Sequence, residues 1–128
     1  MKNKILKSFL VFAILLPCLI LLSACGGTKN LKNKTLLFSK VEVTGSLNKD
    51  QYEEEYKNIS FKFGEDTVTY IDGVIEDTYS YKVEDGKVYL KGEDQEYSDE
   101  PYAELSGNFM IVTDTYDNGV VKIYFEIK

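Results

Sequence analysis

Histidine, tryptophan and arginine do not occur in this 128-residue chain, which also holds only two cysteines and two prolines. Without imidazole there is no Ser-His-Asp or Cys-His nucleophile, no imidazole general base and no His-ligated zinc. Two cysteines, Cys18 and Cys25, are too few for a disulfide framework. Positive charge comes from 15 lysines against 21 acids, a formal net charge of −6. Binding to nucleic acid by phosphate neutralisation needs clustered lysine or arginine, so nucleic acid is excluded as a partner. The inventory points to no enzyme, no catalytic residue, no bound metal and no cofactor.

One apolar run is present, and it lies at the N-terminus. Lys2, Lys4 and Lys7 form a positive segment, and Phe9 to Leu22 is apolar except around Pro17 and Cys18. This is the layout of a secretory signal peptide, and the run is short for a lasting helical span, which wants roughly 20 apolar residues. Cys18 reads as an apolar filler within it. The run ends in Leu22-Ser23-Ala24-Cys25, which resembles a bacterial lipobox. The resemblance implies removal of residues 1–24 and lipidation of Cys25. Residues 25–34 would then form a tether on the extracytoplasmic face of the cell membrane, with the bilayer as partner. The mature part, with 12 lysines against 21 acids, carries −9. Lys29, Lys32 and Lys34 make a basic foot beneath an acidic body.

From Leu37 the pattern has period two. Leu37, Val41 and Val43 are expected on one face of a first strand, opposite Lys40, Glu42 and Thr44. Gly45 to Asn58 interrupts it, either as a short helix near 48–57 capped by Asn48 or as an acidic loop. Short strands follow: Ile59, Phe61 and Phe63; Val68 and Tyr70; Tyr79, Tyr81 and Val83; Val88 and Leu90; Tyr102 and Leu105; Phe109 to Thr113; and Val121, Ile123, Phe125 and Ile127. Asp72-Gly73, Asp85-Gly86, Ser106-Gly107-Asn108 and Asp117-Asn118-Gly119 are turn signals between them. The expected fold is all-β, an antiparallel up-and-down meander of about seven or eight strands, closed into a barrel or folded into a sandwich, in one domain over 35–128.

This order of elements resembles the lipocalin-like (calycin) domains of small extracytoplasmic lipoproteins. The Gly-x-Trp that opens lipocalins is missing, since the chain has no tryptophan. The resemblance implies a small barrel and a binding module. Its expected ligand is small and apolar or amphipathic. The aromatic residues expected to line the barrel mouth are Phe61, Phe63, Tyr79, Tyr81, Phe109 and Phe125.

Other constellations have plainer explanations. Ser46-Leu47-Asn48-Lys49 has the S-x-x-K spacing but no partner motif, and it reads as a polar loop. The carboxylates at 53–55 and 93–100, with Asp114 and Asp117, offer a pair for glycoside hydrolysis or oxygen ligands for calcium. They fit solvated loops and charged strand edges better. All ten tyrosines follow the tether. Tyr89 and Tyr124 alternate away from the apolar face and are candidates for an outer partner surface. With the acidic body, that surface suits a cationic peptide, as in an immunity-type lipoprotein.

Overall fold

The computed structural model describes residues 30–128, so the expected signal peptide, Cys25 and the first half of the tether lie outside the described residues. The rest forms eight antiparallel strands and one helix: β1 (Thr35–Val43), α1 (Lys49–Tyr56), β2 (Ile59–Phe63), β3 (Thr67–Asp72), β4 (Ile75–Glu84), β5 (Lys87–Lys91), β6 (Ala103–Ser106), β7 (Phe109–Tyr116) and β8 (Gly119–Ile127). Each strand pairs with the next, and β1 pairs with β8, so the meander closes into a barrel. Among the described residues no helix is long and apolar enough to cross a membrane.

The turns follow from residues that tolerate positive φ. Asp85 and Gly86 take φ of 53° and 74° between the paired Glu84 and Lys87, a two-residue hairpin whose twist matches that of the strands. Gly73 and Gly107 hold positive φ in the turns after β3 and β6. At the β1–β8 seam two glycines are needed for room. A Cβ on Gly45 would lie 2.0 Å from the Asn118 carbonyl oxygen, and one on Gly119 would lie 2.1 Å from that of Thr44. This close approach lets Ser46 N–H donate to Asn118 O at 3.1 Å and Val120 N–H to Thr44 Oγ1 at 2.9 Å.

Alternation puts one face of every strand inside. Leu36, Val41, Ile59, Phe61, Phe63, Val68, Val88, Met110, Val121, Ile123 and Phe125 are buried in one cluster. Here β1 corrects the sequence reading. A register shift between Phe38 and Lys40 adds a residue to β1 against β8, so Leu36 and Phe38 point inward before the bulge and Val41 and Val43 after it. Leu37 therefore faces out and is 44% exposed. A period-two reading cannot cross a bulge without changing face.

The two ends of the barrel differ. At one end Leu31, 1% exposed, plugs the interior beside the strand ends. Lys34 N–H donates to Leu31 O at 3.0 Å and Phe63 N–H to Lys34 O at 2.9 Å, which pin the segment down. The last residues of the expected tether are therefore part of the folded body. At the other end α1 lies against β1. Its Asn48 cap accepts from Gln51 N–H at 3.3 Å, and the helix, rather than an acidic loop, fills the interruption.

Candidate functional site

The barrel wall is thinnest between β5 and β6. These strands pair only at Lys87↔Glu104 and Val88↔Ala103 before diverging, and residues 92–102 cross the gap at the helical end. Beyond Ser80, which pairs with Lys91, β4 has no β5 residue beside it. Beyond Ile111, which pairs with Glu104, β7 has no β6 residue beside it.

A cavity of about 290 Å³ occupies this opening, lined by Phe61, Tyr70, Tyr79, Leu90, Lys91, Gly92, Gln95 and Tyr102. Phe61 forms its floor and holds the surrounding rings edge-on, with centroids 5.6 Å from Tyr70, 6.1 Å from Tyr102 and 4.9 Å from Phe125. Edge-to-face packing of this kind fixes ring orientation as well as burying area. Gln95 accepts from Gly92 N–H at 3.1 Å and shapes the loop over the opening. The volume lies at the lower end of the range for small-molecule sites, and the lining is mostly apolar with a few polar atoms, as such sites are.

Polar character rises towards the rim. The Tyr70 phenol is pushed up first by burial and then by Asp72, Tyr79, Asp77 and Glu55. Tyr102 is 38% exposed, yet its hydroxyl lies among other phenols. Desolvation there raises it strongly, reinforced by Tyr70, Tyr56 and Asp114. Tyr56, on α1, is pushed up to about 12 by burial and then by Asp114 and Glu55. These phenols stay neutral, hydrogen-bonding groups throughout the physiological range.

The six aromatics expected at the mouth separate into four groups. Phe61 and Tyr79 line the cavity. Phe125 is buried beneath them in the core. Phe63 and Tyr81 face inward at the opposite end, stacked edge-on at 4.8 Å, with Tyr81 Oη donating to Gly64 O at 2.9 Å. Tyr81 there borders a smaller hollow of about 220 Å³ with Asn30, Leu31, Lys32, Glu65, Lys82 and Val83. Phe109 is on the outer face, because Met110 is the residue of β7 that is buried opposite Phe125. Its ring packs at 5.7 Å against Tyr124. Sequence reasoning missed Tyr70, Leu90 and Tyr102 as lining. The signal was available for two of them, since Tyr70 shares the face of Val68 and Leu90 that of Val88.

Tyr89 and Tyr124 do face outward, but lysines of the chain cover their rings. Lys40 Nζ lies 4.6 Å from the Tyr124 centroid and Lys82 Nζ 5.2 Å from that of Tyr89. The Tyr124 hydroxyl hydrogen-bonds Glu42, and this bond is the first cause of the lowered Glu42 pKa. No group of three or more acidic or cysteine side chains among the described residues is arranged to hold a metal.

No protein-family model matches this chain, and neither does any curated protein or solved structure.

Proposed function

We propose that the protein is a membrane-anchored, extracytoplasmic binding module that holds a small apolar or amphipathic ligand in the open end of its barrel without transforming it. The observation that carries this reading is the cavity of about 290 Å³, closed below by Phe61 and open between β5 and β6. At interior packing density that volume suits a ligand of roughly ten non-hydrogen atoms. The ligand would slide between rings already held in place by the core, so little ordering cost opposes binding.

Anchoring through Cys25 would fit the geometry. The described chain starts at the end plugged by Leu31, opposite the cavity, so a lipid on Cys25 would turn the mouth away from the bilayer. Strands of nine residues at about 3.3 Å each would raise it by up to about 30 Å.

The absence of tryptophan gives a clean optical test. Tyrosine emission from Tyr70, Tyr79 and Tyr102 should transfer to 1-aminonaphthalene bound beside them. Titration of the full chain should quench tyrosine saturably, and Leu90→Phe, which fills the cavity, should remove the effect. Quenching that is linear in probe, or unchanged by Leu90→Phe, would count against a ligand site at the mouth.

A further inference from the structure

The register that places Tyr70 and Tyr79 inward also places carboxylates above them. Along β3 the inner face reads Val68, Tyr70, Asp72, and along β4, back from the closed end, Val83, Tyr81, Tyr79, Asp77. Tyr70 is the partner of Asp77, and Asp72 of Ile75, so Asp72 and Asp77 are diagonal neighbours on the same face. Diagonal pairs lie about 7–8 Å apart. Across the opening β7 runs inward Met110, Val112, Asp114, and Asp114 is the partner of Val121 on β8. Thus three aspartates share the inner-face register beyond the aromatic rings, Asp77 exposed and Asp72 and Asp114 half-buried, and none of them lines the cavity itself. The four ion pairs among the described residues use Glu53, Glu54, Glu84 and Glu126, and none of these aspartates.

One cation borders the cavity, Lys91. It alternates with the inward Val88 and Leu90, and its Nζ lies 5.1 Å from the Tyr97 centroid, over a ring that Lys82 shares at 4.8 Å. Its charge is thus engaged at the outer side of the opening. A carboxylate ligand would enter against three aspartates with only this lysine to meet it. An ammonium would meet carboxylates from β3, β4 and β7 while its apolar body lies against the rings below.

We propose that the mouth selects an amphipathic organic cation, its alkyl or aryl body among Phe61, Tyr70, Tyr79 and Leu90 and its ammonium at the rim between Asp72, Asp77 and Asp114. This rests on the cavity being a ligand site, and it adds the charge of the ligand. Partly exposed carboxylates gathered around one ammonium lead to an expected preference of about tenfold over a neutral ligand of equal length.

The experiment uses octylamine, octan-1-ol and octanoate, three probes of equal chain length, titrated at neutral pH into the full chain. The tyrosine ring resonances are followed by nuclear magnetic resonance. The expected order is octylamine tightest, octan-1-ol about tenfold weaker and octanoate weakest. Asp77→Asn with Asp114→Asn should bring octylamine down to octan-1-ol while leaving octan-1-ol unchanged. Salt gives the same readout on the unaltered protein, since raising it should shrink the amine preference alone. Equal binding of all three probes would overturn the charge selection and leave the ligand site standing. Octanoate binding as tightly as octylamine would overturn it in favour of Lys91. Failure of every probe to move the Tyr70, Tyr79 and Tyr102 rings would remove both the selection and the site.

Discussion

Replacing Phe61 by alanine should cost far more than the same change at Phe109, although both are phenylalanines in strands. Phe61 is 1% exposed and touches Phe63, Tyr70, Tyr102 and Phe125 ring to ring. Its removal would open roughly 100 Å³, worth about 2 kcal/mol at ~24 cal/mol per Å³, and would forfeit a further ~2 kcal/mol of transfer free energy. Part of the void joins the existing cavity and fills with water, so a net loss of about 3–4 kcal/mol is expected. Phe109 rests on the outer face against one ring, and its truncation should cost about 1 kcal/mol. In thermal unfolding these figures correspond to Tm lowered by roughly 15–25 °C for Phe61→Ala and about 5 °C for Phe109→Ala. Should Phe61→Ala fail to fold, Phe61→Leu supplies the comparison, at about 1–2 kcal/mol. Equal losses at the two positions would refute the inner and outer assignment of β2 and β7.

The seam glycines and the plug give further tests. Gly119→Ala should lose more than about 2 kcal/mol in urea unfolding, because its Cβ meets the Thr44 carbonyl. Gly73→Ala, with positive φ but open space around it, should lose only the conformational cost of about 1 kcal/mol. Leu31→Ala should cost about 2–4 kcal/mol, a result that a loose tether would not give. Tyr56 is protonated to higher pH in the folded state than in the unfolded one, so its contribution is complete below about pH 10. It should be lost as pH rises through 10 to about 12, and alkaline unfolding monitored by phenolate absorbance should shift upward in Tyr56→Phe. Tyr124→Phe should raise the Glu42 pKa, readable by carboxylate chemical shifts, because the phenol is the main cause of its lowering.

The barrel was legible because period two, repeated between turns rich in glycine and aspartate, is a strong signal wherever one face is buried. Asp85-Gly86 makes the hairpin its residues suggest, and Val121, Ile123, Phe125 and Ile127 lie buried as alternation requires. Alternation fails where it is absent or shifted. Phe109-Met110-Ile111-Val112 is apolar at every position, so the inner face of β7 is set by its pairing with β8, which a single strand does not display. In β1 the bulge moves the inner face from Leu36 and Phe38 to Val41 and Val43, and no local residue announces it. The site was half legible for a related reason. Which aromatics face inward can be read by counting, but which of them border the cavity depends on where β5 and β6 part. Where β5 and β6 part is set by their mutual pairing, which the residues of either strand alone do not display.

The most direct test of the ligand-site reading is a crystal structure of the protein under xenon, which enters apolar cavities open to it. Xenon density in contact with Phe61, Tyr79, Leu90 and Tyr102, absent in Leu90→Phe, is the expected result. A mouth filled by the Tyr102 ring and the 92–102 segment, with no xenon between β5 and β6, would contradict the account.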